Sequence, residues 1–249
     1  MSDLVSSIRE RYLQTIDQIS SAARKSSRNP EDIRLVVVTK SQPVEVVQAA
    51  IEAGVRILGE NYPEEGVTKI QSLAAQSGVE WHMIGHVQSR KARLVVDHFA
   101  LLHSLDSLKL ARRLNRFAAE SDRILPVLLE FNVGGEESKS GWDASNESQW
   151  DVFLPEVASI VDLENLRVHG LMTMPPLGTD PEESRRFFLH LRLLRDHLAK
   201  QFPKANWHEL SMGTSADYAV AVEEGATLVR VGTAIVGARK YTSHMEPKA

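Results

Sequence analysis

The chain has 249 residues, 43% hydrophobic and 25% charged, a composition ordinary for a soluble globular protein that can bury a full core. Its 29 basic and 33 acidic side chains leave a formal net charge of −4, so no global positive field draws it to nucleic acid or to an anionic membrane. The absence of cysteine excludes disulfides, thiolate metal sites and a cysteine nucleophile.

The start, Met1-Ser2-Asp3-Leu4, lacks the basic and apolar regions of a signal peptide, and no apolar run approaches membrane-spanning length, so a cytoplasmic protein is expected. Leu4, Ile8, Tyr12, Ile16, Ile19 and Ala23 recur at helical spacing and predict a long amphipathic helix that ends before the turn-forming Arg28-Asn29-Pro30. Short β-rich runs then alternate with longer helical patterns. Strands are expected at 33–38, 55–58, 80–84, 100–103, 124–131, 166–170, 207–210 and 227–231, and helices at 43–53, 63–75, 89–96, 107–120, 147–161, 182–201 and 215–224. This alternation predicts a single (β/α)8 TIM-type barrel over residues 1–249, with an extra N-terminal helix, rather than a doubly wound sheet. The longest irregular segments, 132–146 and 173–180, follow strands and so fall on the functional rim.

Lys40 ends the apolar run Leu35-Val36-Val37-Val38-Thr39, which would pack its stem and bring its amine to the mouth of the barrel. Desolvation or a neighbouring cation there would favour a free amine able to form an imine. A lone lysine at a strand end is more commonly a solvated side chain; the downstream elements change that weighing. Ser211-Met212-Gly213-Thr214-Ser215 and Gly232-Thr233 follow the last two expected strands, where barrels commonly hold phosphate. Gly213 and Gly232 admit a close backbone approach, and Ser215 and Thr233 supply hydroxyls, although the first loop would serve equally as a cap for the next helix. A phosphorylated aldehyde linked covalently to Lys40 satisfies both halves, and pyridoxal 5′-phosphate (PLP) is such a compound.

Arg230 interrupts the apolar strand Thr227-Leu228-Val229 and Val231, so it requires a partner: a strand carboxylate, or the pyridine nitrogen of PLP. Arginine keeps its proton, so in the second case the ring nitrogen stays neutral and the cofactor is a poor electron sink. Asn61 and His86 follow the second and third strands and face the same rim. Asn61 suits either a ring hydroxyl or the cap of the following helix, and His86 either a general acid/base or, more commonly, a polar pocket wall. The nine histidines show no metal-ligand spacing, so no metal site is expected. Ser138-Lys139-Ser140-Gly141 reads as a solvated loop or a lid over the pocket, and Met172-Thr173-Met174-Pro175 as barrel wall.

The sequence resembles the pyridoxal phosphate homeostasis protein family, which is alanine racemase N-terminal-domain-like. The resemblance is carried by V-V-V-T-K at 36–40, G-E-N-Y at 59–62, W-H-M-I-G-H-V-Q at 81–88, E-E-S-K-S-G at 136–141, H-G-L-M-T-M at 169–174, S-M-G-T-S-A-D at 211–217 and V-R-V-G-T-A-I-V-G at 229–237, spanning nearly the whole chain. It implies PLP on Lys40, its phosphate near Ser215, Gly232 and Thr233, Arg230 beside the ring nitrogen and Asn61 in the pocket, with no catalytic residue assigned. The chain departs from the family pattern at Ser41-Gln42-Pro43, Pro63 and Thr214.

What the resemblance implies is a carrier and buffer in vitamin B6 homeostasis, without efficient catalysis, that delivers PLP to PLP-dependent apoenzymes. The alternative is a low-activity PLP-dependent amino-acid racemase, with Lys40 on one face of the substrate and Tyr62, Tyr218 or His86 on the other. Related racemases take that second base from an added β-domain across a dimer. The chain ends soon after Gly237, so a monomer lacking that domain is expected.

Overall fold

Leu35, Val36 and Val37 are apolar on both faces of their strand, as suits a parallel strand covered on each side, and they form the centre of β1 (Arg34–Val38). The structure, a computed structural model, describes residues 2–176, 178 and 180–238; residues 177 and 179 of the expected 173–180 loop, and the tail beyond 238, lie outside the described residues. From β1 the chain continues through β2 (Ile57–Glu60), β3 (Glu80–Met83), β4 (Leu101–Leu105), β5 (Leu125–Asn132), a two-residue strand β6 (Trp142–Asp143), β7 (Leu166–Met172), β8 (Glu209–Ser211) and β9 (Leu228–Val231). All pairings are parallel. β4 pairs with β5 and β9 with β1, so eight strands close a barrel of the TIM type, with β6 appended to the end of β5.

The expected helices surround this barrel: α2 (Val44–Glu52), α3 (Pro63–Ser72), α4 (Ala92–His98), α5 (Leu108–Glu120), α6 (Leu154–Val161), α7 (Arg185–Gln201) and α8 (Tyr218–Glu223). Three of them begin later than the sequence pattern suggests, behind 3₁₀ turns at Ser89–Lys91, Glu147–Val152 and Pro181–Ser184. In the second case Pro155 explains the break, because a proline has no amide to continue a helix from the preceding turn and is accommodated only in a helix's first turn. The helix expected at 215–224 contracts at its start to Tyr218, leaving Ser215 in a turn.

The extra helix α1 (Ser2–Lys25) fills a gap. The helix after β9, α9 (Thr233–Val236), has only four residues, too short to cover its side of the barrel. α1 packs instead against α8, α2 and α9, burying Ile8, Ile19, Ala22 and Ala23. Tyr218 donates its hydroxyl to Gln18, and Arg11 donates to the Ile235 carbonyl at 2.6 Å.

A small apolar cluster of Val36, Leu101, Leu128, Met172 and Leu228, with Ile57 against it, draws one residue from each of six strands and fills the barrel interior. The larger core lies between strands and helices. The cavity described next opens above the interior cluster, at the C-terminal ends of the strands, where barrel folds place their sites.

Candidate functional site

Lys40 stands on a corner that is locked from behind. Thr39 is fully buried; its amide donates to the Gly59 carbonyl at 3.0 Å and its hydroxyl to Glu60 Oε1 at 2.6 Å. Lys69, reaching in from α3, donates to the Thr39 carbonyl at 2.7 Å, to Glu60 Oε1 at 2.8 Å and to Glu65 Oε1 at 2.6 Å. Glu65 in turn accepts from the Ser41 amide at 2.6 Å. That contact holds Ser41 at φ +57°, a left-handed conformation that non-glycine residues adopt rarely. Gln42, itself buried, donates to the Gly237 carbonyl at 3.2 Å and ties this corner to the end of α9. Lys40 is half-buried between these anchors and lines the cavity.

The loops after β8 and β9 meet across from it. Gly213 sits at φ +90°, and a Cβ there would lie 2.6 Å from Ala221 Cβ and 2.9 Å from Tyr218 Cα, so only glycine fits the turn. The buried Asp217 carboxylate does not cap α8. It reaches back to accept from the Thr214 amide at 2.7 Å and the Thr214 hydroxyl at 3.1 Å, which fixes the loop and leaves Ser215 exposed to the cavity. The Gly232 amide donates to Ser215 Oγ at 3.3 Å, joining the two loops, and Thr233 lies exposed beside them.

Arg230 is 4% exposed, and its hydrogen-bond partners are neutral: the Ser211 hydroxyl, the Thr173 carbonyl at 2.9 Å and Met174 Sδ at 2.9 Å. Among the described residues it has no carboxylate within ion-pair distance, so the strand salt bridge considered for it does not form. Burial pushes its pKa down to about 10, with Glu130 and Asp217 opposing through their fields, so it remains a cation at neutral pH. Behind it a buried chain continues: Ser211 Oγ lies 2.8 Å from His103 Nδ1, His103 Nε2 lies 3.0 Å from His82 Nδ1, and His82 Nε2 lies 3.4 Å from Glu80 Oε2. Burial lowers the pKa of both imidazoles, so both are neutral. With a guanidinium at one end and a carboxylate at the other, the favoured arrangement has every donor pointing from Arg230 toward Glu80, at the start of β3 and away from Lys40.

The cavity bounded by these elements has a volume of about 530 Å³, and Lys40, Asn61, Ser215, Arg230, Gly232 and Thr233 all line it. Asn61 does not cap α3, whose N-cap is Tyr62 without a side-chain bond; its Oδ1 is buried and, among the described residues, without a partner. A Cβ at residue 85 would lie 2.4 Å from the Asn61 carbonyl, so Gly85 lets Asn61 sit this close. His86 also lines the cavity, exposed at its rim, with Nδ1 2.8 Å from Asp106 Oδ2. Tyr62 and Tyr218 are not among the lining residues; Tyr62 is 56% exposed, and Tyr218 is occupied by Gln18. Lys139 pairs with Glu136 at 3.6 Å and does not line the cavity. Met172 and Met174 do, as wall residues.

Sequence reasoning missed several groups. Glu130 interrupts the apolar strand β5 and Glu60 ends β2, a signal that could have flagged them as Arg230 and Lys40 were flagged. Lys69 carried none, since nothing distinguishes it from a solvated helix lysine. Glu130 lines the cavity at 9% exposure, and burial, reinforced by Asp106, pushes its carboxyl up to about 7.

The site is thus a closed parallel barrel with a lysine after its first strand and glycine–hydroxyl loops after its last two, all at one cavity. The chain matches the family described as alanine racemase, N-terminal domain, over residues 13–240, and belongs to it. It is 40% identical over 242 residues to the pyridoxal phosphate homeostasis protein of Vibrio alginolyticus, covering 96% of this chain and all of that one. Among solved structures it is similar to PipY of Synechococcus elongatus PCC7942 with PLP bound, at TM-score 0.79 and 34% identity, over 92% of this chain and 100% of that one. An alanine racemase of Clostridium difficile 630 shares the fold at TM-score 0.68 and 17% identity, and 57% of that longer chain is covered.

Proposed function

We propose that this protein binds PLP in the cavity and serves in intracellular PLP homeostasis as a carrier and buffer, without efficient turnover. The observation that carries the reading is that one cavity gathers an amine, a buried guanidinium and a hydroxyl-and-amide cup. PLP presents an aldehyde, a ring nitrogen and a phosphate, and the residues present fit each. Lys40 forms the covalent link through its amine. Ser215, Thr233 and the Gly232 amide hold the phosphate, Arg230 donates to the ring nitrogen, and Asn61 lies against the ring's edge. When bound, PLP supplies an electrophilic carbonyl carbon whose bond to nitrogen is reversible, which is what storage and release require.

The surrounding groups support retention rather than turnover. Arg230 keeps its proton, and the residues behind it are neutral, so the ring has no acid beside its nitrogen. Of the three candidate second bases for a racemase, only His86 reaches the cavity, and it stands at the exposed rim. PLP-dependent apoenzymes are the recipients in this reading, and the protein acts as a monomer.

Incubation with PLP, borohydride reduction and peptide mass spectrometry test it. The expected adduct is on Lys40, and Lys40→Ala loses both the adduct and the near-visible absorbance band. Lys69 provides an internal control, since its amine is already engaged by two carboxylates and a carbonyl. An adduct elsewhere with position 40 unmodified overturns the assignment.

A further inference from the structure

Among the described residues, two side chains that line the cavity carry a buried acceptor oxygen without a donor. Glu130 Oε2 and Asn61 Oδ1 are both buried without a hydrogen-bond partner, and both residues line the cavity that contains Lys40. Buried acceptors are rarely left this way, because the lost hydration is not recovered. Arg230 does not serve Glu130, since its bonds go to Ser211, Thr173 and Met174.

PLP does not answer the vacancy. Its phosphate, ring nitrogen and phenolic oxygen are acceptors in the ionised cofactor, and the cavity meets them with donors: Arg230, Ser215, Thr233 and the Gly232 amide. A second ligand class is required for the acceptor side. A primary ammonium is the natural complement, with three N–H donors and no acceptor.

We propose that Glu130 and Asn61 form a subsite for the ammonium group of an amino compound, placed beside the position where Lys40 holds the aldehyde. This rests on the PLP reading of the cavity and extends it: the site recognises an amine as well as the carbonyl that amines attack. The charged groups around Glu130 are Asp106 between β4 and α5, His86 after β3, Lys139 after β5 and Arg230 on β9, with Lys40 lining the same cavity. Asp106 and burial favour the neutral acid, while Arg230, His86 and Lys139 favour the carboxylate. With the balance at about 7, the carboxylate that attracts an ammonium is present above that pH and is lost as pH falls below it.

The probes are pyridoxamine 5′-phosphate, which carries an ammonium and cannot condense with Lys40, and pyridoxine 5′-phosphate, which carries a hydroxyl in the same place. Calorimetric titration of the ligand-free full chain compares wild type with Glu130→Gln, an isosteric change that removes the charge. At about pH 8 the variant is expected to bind the amine probe at least about tenfold more weakly, as the loss of one charge-assisted contact requires, and the hydroxyl probe unchanged. At about pH 6 the difference closes. Retained binding of the hydroxyl probe shows that the variant is folded. Equal weakening of both probes, or none for the amine, overturns the subsite while leaving the PLP reading standing. Failure of wild type to bind the amine probe overturns this inference, while the PLP reading stands or falls separately on the borohydride-trapped Lys40 adduct.

Discussion

Replacing Lys69 by methionine tests whether the corner that carries Lys40 is held by a buried ion network. Glu60 and Lys69 side chains are 0% and 4% exposed, and their contact is 2.8 Å. Methionine preserves the stem but removes the cation bonded to Glu60, leaving the carboxylate, among the described residues, with the Thr39 hydroxyl. Breaking a buried pair from one side costs about 3–5 kcal/mol, because the remaining charge is stranded. Glu60 can relieve part of this by taking up a proton. Burial already raises its pKa above the ordinary 4.5 with Lys69 present, and the loss of Lys69 raises it further. A carboxyl whose folded pKa exceeds its unfolded one stabilises fully below the unfolded value, and that contribution is lost as pH rises through the folded value. The deficit of Lys69→Met, measured by equilibrium urea unfolding, is therefore expected to be largest near pH 8 and much smaller near pH 5. Adding Glu60→Gln should restore most of the loss at pH 8. A deficit below about 1 kcal/mol at pH 8, or one that is the same at both pH values, refutes the argument.

Two further outcomes follow from the rest of the site. Ser215→Ala with Thr233→Ala is expected to weaken PLP by about 1.5–3 kcal/mol per lost phosphate contact while leaving phosphate-free pyridoxal unaffected; equal losses for both compounds in a binding titration would remove the phosphate cup. His103→Phe leaves the Ser211 hydroxyl and His82 Nδ1 without their partner, a cost of about 1–3 kcal/mol. Both imidazoles have lowered folded pKa values, so wild-type stability is present above the ordinary 6.5 and falls as pH drops through the folded values. The variant should show a shallower acid slope in urea unfolding, and an unchanged slope counts against neutral imidazoles in the barrel.

The strands were legible because parallel strands buried on both faces leave continuous apolar runs, as at Leu35–Val37 and Leu128–Leu129. Lys40 and Arg230 stood out because each interrupts or ends such a run. What the sequence hid is pairing across elements. Nothing local announces that Lys69 on α3 reaches the Thr39 carbonyl thirty positions away, or that Asp217 turns back to Thr214 instead of capping its own helix. The shortness of α9 was equally invisible, since Thr233–Val236 reads as a continuation of the strand's loop. Only the packing of α1 into that side of the barrel shows why the N-terminal helix is needed.

The residues lining the cavity divide the hydrogen-bonding labour. The loops after β8 and β9 offer donors; Asn61, after β2, and Glu130, on β5, offer acceptors that lack partners among the described residues. Arg230, on β9, has a pKa of about 10 that makes it a poor acid at neutral pH, and it is backed by Ser211 and two neutral imidazoles that have no proton to relay toward it. Chemistry at a carbon next to the imine would require negative charge to flow into the ring, and the ring accepts it well only when its nitrogen is protonated. In the proposed complex, a permanent cation that donates but does not yield its proton would anchor the ring and leave it electronically unassisted. An arrangement built that way favours exchange of the partner at the carbonyl carbon over cleavage at the carbon beyond it. Storage and release of an aldehyde consist of such exchange, and racemisation consists of such cleavage.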